Sequence, residues 1–240
     1  GCDVRYITSR FLYDRQLPTF DSFQTDDVYF RGLDRQVLLR LPLLRKALRG
    51  LAYPLGHLQT LRKLRQHPPH ILHIQWCRLP HVDRWFIEQI QRAGIPVVLT
   101  VHEVVPLYDQ DAPLNDLGQI YALTDALIVH TQASRNELLT RFLHVMPERV
   151  HIIPHLALDR VDVPTDASRS AARAHFGLDD DAPVVLYFGT VKRYKGLDVL
   201  VEAIPQVQQQ RPDIHFLIAG NPDSTEMNTL AQAKQQTNTQ

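Results

Sequence analysis

Short runs of Val, Ile and Leu alternate along this chain with longer stretches whose apolar residues recur every three or four positions. The short runs predict buried strands and the longer stretches predict helices, and their alternation predicts parallel βαβ units. Strands are expected at residues 3–8, 71–74, 96–101, 126–129, 150–153, 184–188 and 214–219. The run Pro96–Val101 is continuously apolar, as in a strand covered on both faces, and Val184–Phe188 reads as a buried strand. Residues 9–36 read as a long loop. From Leu38 to Leu64 the chain is leucine-rich, and Leu55, Leu58, Leu61 and Leu64 are expected to line one helical face. Pro42 and Pro54 break that stretch into at least two helical pieces. Further helices are expected at 82–93, closed by Gly94, at 114–123, and from Thr131, a capping residue, to about Phe142. An aspartate-rich, linker-like stretch over 159–181 holds one short helix, 168–176, and a last helix covers 197–210. The pattern is two α/β units joined near residues 155–165.

Composition narrows the class. Of 240 residues, 44% are hydrophobic, which excludes wholesale disorder. The 26 basic and 26 acidic side chains cancel, which disfavours a nucleic-acid partner recruited by net charge. Cys2 and Cys77 cannot build a disulfide framework, and this favours a reducing compartment. No apolar run approaches 18 residues, so no segment reads as a membrane span.

Charge distribution adds more than net charge. Between Asp34 and Asp83 there is no acidic residue, while Arg35, Arg40, Arg45, Lys46, Arg49, Arg62, Lys63, Arg65 and Arg78 fall in the same interval. Residues 35–65 therefore read either as a basic amphipathic surface for an anionic membrane, or as a solvated helix whose leucines belong to the core.

The sharpest local signal is Tyr187-Phe188-Gly189-Thr190-Val191-Lys192-Arg193-Tyr194-Lys195-Gly196-Leu197. A strand runs into Gly189, a basic loop follows, and a helix opens after Gly196. Backbone N–H groups and three cations at a strand end favour a phosphate. The other reading is an exposed basic turn; a Walker-type loop is excluded because Gly-Lys-Ser/Thr is missing. His102 follows the strand 96–101 and His155 follows the strand 150–153. Ligands of open α/β sheets bind beyond the carboxyl ends of strands, so either ring can face a ligand or serve structure. The 12 histidines show no His-x3-His spacing and the cysteines no Cys-x2-Cys, so no metal site is expected.

These pieces together resemble glycosyltransferase family 4. The resemblance rests on His70-Ile71-Leu72-His73-Ile74-Gln75-Trp76, Leu99-Thr100-Val101-His102-Glu103, Thr124 to Thr131, Val150 to His155, the loop Gly189 to Gly196, and the flanking Leu197 to Ala203 and Phe216 to Gly220. It implies an α/β fold of GT-B type, with two facing Rossmann-like parallel-sheet domains. Residues 1–157 would form an acceptor-side domain lacking its first strand, and residues 158–240 a partial nucleotide-sugar-binding domain. The implied reaction moves a sugar from a nucleoside-diphosphate sugar to an acceptor hydroxyl with retention of configuration. The donor is a substrate, and no cofactor is implied.

Residue by residue, the family's cleft histidine matches His102, beside the donor sugar. Its loop lysine matches Lys195, on the diphosphate, with Lys192 or Arg193 as the earlier cation, framed by Gly189 and Gly196. Thr190 stands where the family often has arginine, and Glu103 where it often has Asn or Asp. The family's glycine-rich first loop should precede Gly1 and its paired glutamates should follow Gly220-Asn221-Pro222-Asp223. The chain is thus expected to be truncated at both ends and inactive by itself. Expected partners are the donor, a glycan or lipid-linked acceptor and an anionic membrane surface through residues 35–65, but no nucleic acid. The expected location is cytoplasmic and peripheral to the inner membrane face, with a role in cell-surface polysaccharide or glycolipid assembly. Two other classes share these features: a non-catalytic sugar-nucleotide-binding module and a GT-B-fold sugar-nucleotide epimerase.

Overall fold

The computed structural model describes residues 3–9, 11–12, 15–16, 24–30, 33, 42–106, 114–155 and 166–220. The chain divides into two compact units, Gly1–His155 and Leu156–Gln240. The predicted linker over 159–165, residues 35–41 of the basic segment and residues 221–223 lie outside the described residues.

The first unit opens with β1 (Arg5–Thr8), the short antiparallel pair β2 (Phe11–Leu12) and β3 (Arg15–Gln16), and β4 (Gln24–Asp27). β4 falls where the sequence pattern predicts only loop. Its Gln-Thr-Asp-Asp sequence has no apolar alternation, so the strand comes from its partner rather than from propensity. It pairs in parallel with β1; the Thr8 hydroxyl donates to Asp27 at 3.0 Å and Arg5 to Gln24 at 3.1 Å.

A second difference is α1, a single helix over Pro42–Gln66 rather than two pieces. Pro42 sits at its first position, where the missing N–H costs nothing, and Pro54 lies inside it. The four leucines do not share a face: Leu55 is 56% exposed, whereas Leu64 is 8% exposed. Each step of three residues falls about 60° short of a full turn, so three steps carry the side chain to the opposite side. Gly56 belongs to α1 because a Cβ there would overlap the Tyr29 ring.

The chain continues through β5 (Leu72–Ile74), α2 (Pro80–Arg92), β6 (Val97–Thr100), α3 (Leu114–Leu123), β7 (Ala126–Val129), α4 (Gln132–Arg141) and β8 (Val150–Ile152). Strands β5-β6-β7-β8 form one sheet in that order, every pair parallel. As expected, Thr131 caps α4, its hydroxyl accepting from the Ser134 N–H at 3.0 Å. Ile87 and Ile90 of α2, Ile120 of α3 and Leu138 of α4 are buried with Val97, Leu99, Leu127 and Val129 of the sheet.

One buried carboxylate joins α1 to α2. Asp83 accepts from the Tyr53 hydroxyl at 2.6 Å, from His57 Nε2 at 2.9 Å, and from the backbone N–H groups of Arg78 and Leu79, both at 2.7 Å. With its Nε2 proton on Asp83, His57 accepts through Nδ1 from the Tyr29 hydroxyl at 2.6 Å. Burial pushes the Tyr29 phenol up to about 12, and burial with the Asp83 charge raises Tyr53 further. Both hydroxyls therefore stay protonated and donate.

The second unit holds α5 (Asp166–His175), β9 (Val184–Phe188), α6 (Leu197–Gln210) and β10 (His215–Ala219), with β9 and β10 parallel. α5 ends at Gly177, whose φ of 65° suits the left-handed region. β9 is less buried than its sequence predicts: Leu186 is 56% and Phe188 83% exposed. Tyr187 and Ile218 pack with Val191, Leu197 and Val201, and the alternate face of β9 is left to solvent among the described residues. No described helix is long and apolar enough to cross a membrane.

Removing the Asp83 carboxylate strands four donors in a dry site. Asp83→Ala should cost about 3–5 kcal/mol in denaturant unfolding, against less than about 0.5 kcal/mol for Glu137→Ala, which breaks only an exposed ion pair with Arg141. Equal losses would show that Asp83 is not a structural centre.

Candidate active site

Because β5 to β8 are parallel and adjacent, the residues that leave their carboxyl ends gather along one edge. β5 delivers His73, Gln75 and Trp76; β6 delivers Thr100 and His102; β7 delivers His130; β8 delivers His155. Trp76 lies flat on His102, with ring centroids 4.5 Å apart and planes 14° apart. His130 stacks on His155 at 3.7 Å, and His102 lies 6.0 Å from His155. The result is a half-open aromatic and imidazole floor.

A hydrogen-bond chain links these groups: His73 Nε2 lies 2.8 Å from the Thr100 hydroxyl and 3.1 Å from the Gln75 amide, whose other end lies 3.0 Å from His102 Nε2. His130 Nδ1 donates to the Ile153 carbonyl at 2.9 Å. His102 Nδ1 and His130 Nε2 lie 3.3 Å apart, within hydrogen-bond distance. Burial, followed by the neighbouring His130 and His155 rings, holds His102 below the ordinary 6.5, and Glu103 opposes this more weakly. Burial alone lowers His73.

His102 was legible in the sequence, and His155 shares its place at a strand end. Sequence reasoning missed Gln75, Trp76 and His130 as members of the site. The signal for them was position: each lies directly beyond a strand of one parallel sheet. Local histidine spacing cannot reveal ligands delivered by separate strands.

In the second unit the basic loop has a defined shape. Gly189, at φ 137°, donates its N–H to the Ala219 carbonyl at 3.0 Å, and a Cβ on Gly220 would collide with the Gly189 carbonyl oxygen. The two glycines thus allow β9 and β10 to end in close contact. Val191 is buried, and a 3₁₀ turn over Arg193–Lys195 leads to Gly196, which enters α6 in the left-handed conformation at φ 72°. Lys192 and Lys195 flank the Tyr194 ring, their ammonium groups 6.0 and 5.4 Å from its centroid. The Arg193 side chain lies outside the described residues. Two cations, a helix N-terminus and a glycine entry form an anion-binding arrangement.

The chain belongs to the glycosyl transferase 4-like family, whose domain matches residues 1–155; residues 168–240 match the domain described as glycosyl transferases group 1. It is 30% identical over 160 residues to the D-inositol 3-phosphate glycosyltransferase of Segniliparus rotundus, covering 59% of this chain and 34% of that protein. It is also 30% identical over 139 residues to the alpha-D-kanosaminyltransferase of Streptomyces kanamyceticus, covering 53% of this chain and 36% of that protein. The matched stretch thus spans about a third of the length of these relatives.

Among solved structures, Anabaena HepE in complex with UDP and glucose aligns with a TM-score of 0.59 at 15% identity, over 91% of this chain and 55% of that one. Arabidopsis thaliana UGT89C1 complexed with UDP-L-rhamnose aligns with a TM-score of 0.51 at 13% identity, over 97% and 62%. At such identities the likeness is one of fold, and it establishes the α/β, GT-B type expected from the sequence.

The lowered His73 pKa sets a pH dependence. An imidazole whose folded pKa lies below its unfolded 6.5 binds protons more readily once unfolded. No penalty exists above about pH 6.5, and stability falls as pH drops from there through the folded value. Unfolding midpoints at about pH 7.5 and about pH 5 should therefore differ more in the native chain than in His73→Gln. An identical difference in both would contradict this assignment.

Proposed function

We propose that the protein transfers a sugar from a nucleoside-diphosphate sugar to an acceptor hydroxyl, with retention of configuration. The observation that carries this reading is the loop from Gly189 to Gly196, with Lys192 and Lys195 beside the start of α6. As the nucleoside diphosphate leaves, negative charge grows on its phosphate and positive charge on the anomeric carbon. Cations held at the phosphate stabilise that separation. Lys195 and Lys192 take the diphosphate, joined by Arg193, while Gly189 and Gly196 let the backbone approach it.

His102 is the residue that the resemblance to glycosyltransferase family 4 assigns to the donor sugar, where it would shield the developing cation. It does not act as a conventional base. In this reading residues 158–240 serve mainly the donor and residues 1–157 mainly the acceptor. The relatives' names, which specify an inositol phosphate glycosyltransferase and a kanosaminyltransferase, and the UDP-containing structures support a nucleotide-sugar donor.

The acceptor in this reading is a glycan or lipid-linked hydroxyl, met at the cytoplasmic face of a membrane during cell-surface polysaccharide or glycolipid assembly. The basic helix α1 supports it: Leu43, Leu51, Leu55 and Leu58 are exposed on a segment with no acidic residue. Some of its cations already have partners, since Lys63 pairs with Asp26 at 3.1 Å and Arg49 lies over Phe30 at 5.0 Å. The remainder supply the attraction, on the order of 1 kcal/mol per suitably placed side chain.

Sugar transfer from labelled donor, by the protein at its full genomic length, tests the reaction. Lys195→Ala should lower turnover about 10²–10³-fold. His102→Ala should lower turnover by more than it weakens donor binding. Epimer formation, or donor binding without turnover, would overturn the reading, and unchanged turnover in His102→Ala would remove that residue's role.

Membrane contact is tested separately by co-sedimentation. Binding to anionic vesicles should exceed binding to neutral ones and should fall with added salt. Equal, salt-insensitive binding to both would exclude the membrane surface.

A further inference from the structure

We infer that Gln75 is a positioning residue for His102: its amide, held at the far end by His73, sets the orientation of the His102 ring for sugar transfer. The role rests on the transfer proposed above, in which His102 lies beside the donor sugar.

Gln75 follows β5 and His102 follows β6, and these strands are paired neighbours with Ile74 opposite Leu99. The Gln75 amide spans the gap between two rings, 3.1 Å from His73 Nε2 and 3.0 Å from His102 Nε2. A primary amide has an acceptor at one end and donors at the other, so it meets both rings in either orientation. Whichever end faces His102 gives Nε2 one role, and that role selects one tautomer of the ring. The far end of the bridge is anchored in the sheet. His73 Nε2 lies 2.8 Å from the hydroxyl of Thr100, a buried residue of β6, the strand that also carries His102.

Stacking alone cannot do this work. Trp76 covers one face of His102 with ring centroids 4.5 Å apart and planes 14° apart. That contact fixes the plane of the ring, yet it is kept when the imidazole turns over about its Cβ–Cγ bond and exchanges nitrogens for carbons. Only hydrogen bonds at the nitrogens distinguish the two placements. His102 Nδ1 lies 3.3 Å from His130 Nε2, and the bridge to Gln75 is the shorter of the two contacts. Gln75 is itself exposed, so its two bonds contribute little to the core, and their consequence is the placement of His102.

The test has two arms. NMR of nitrogen-labelled histidine side chains compares the native 240-residue chain with Gln75→Leu. Native His102 should show the separate Nδ1 and Nε2 signals of one tautomer, and Gln75→Leu should draw them toward an average. The signals of His144 and His151, outside the network, should stay in place and report an intact fold. In the protein at its full genomic length, Gln75→Leu should lower turnover on the order of 10-fold, the worth of one hydrogen bond, with donor affinity changed less than about 2-fold. In a His102→Ala background the same substitution should change turnover by less than about 2-fold, because it acts through that ring. Identical His102 signals in native and Gln75→Leu chains would overturn the inference. Equal losses of turnover with and without the His102 ring would do the same. Absence of sugar transfer by the native protein, with His102 signals that still move in Gln75→Leu, would instead overturn the transfer reading and leave Gln75 as the group that orients the ring.

Discussion

The candidate site of the first unit depends on the common direction of β5, β6, β7 and β8. Had one strand run the other way, its exit residue would lie at the opposite edge. With all four parallel, His73, Gln75, Trp76, His102, His130 and His155 meet although more than eighty residues of chain separate the first from the last. The constraint comes from backbone hydrogen bonding and the crossover helices, and not from attraction among the imidazoles. Burial there, followed by the neighbouring His130 and His155 rings, lowers the pKa of His102. The apolar core beneath the sheet, with Leu127 and Val129 fully buried, holds the rings in an arrangement that they would not adopt alone.

That sheet needs a firm support for α1 and α2, and the Asp83 network supplies one. A buried carboxylate is costly unless its oxygens are satisfied, and here four donors satisfy them. Two of the donors are backbone groups at the entry to α2, so the network also secures the start of that helix. Tyr29, beyond β4, closes the chain of hydrogen bonds through His57. In this way polar and aromatic side chains bind the irregular early part of the chain to the regular α/β layer.

How much of this the sequence discloses follows from the range of each interaction. β7 and β9, α3 and α6 were legible to the residue, because apolar runs and their flanking breakers are local signals. β4 was not, because Gln24–Asp27 owes its conformation to β1, about twenty residues earlier. Pro54 suggested a break that the packing of α1 overrides. Val185, Leu186 and Phe188 read as core, yet β9 has only one paired neighbour among the described residues. His102 was legible from its place after an apolar strand, and Lys192 and Lys195 from the glycines around them. His130 and Gln75 carry no local signature; only the order of strands in the sheet gives them a shared site.

The central claim is that His102, beyond the end of β6, contacts the sugar of a nucleotide-sugar donor. The most direct measurement is NMR of nitrogen-labelled histidine side chains in the protein at its full genomic length, during titration with a nucleoside-diphosphate sugar. The imidazole signals of His102 should shift saturably, while those of His67 and His70, before β5, and His144, before β8, stay in place. Donor binding detected by calorimetry with no movement of the His102 group would contradict the account.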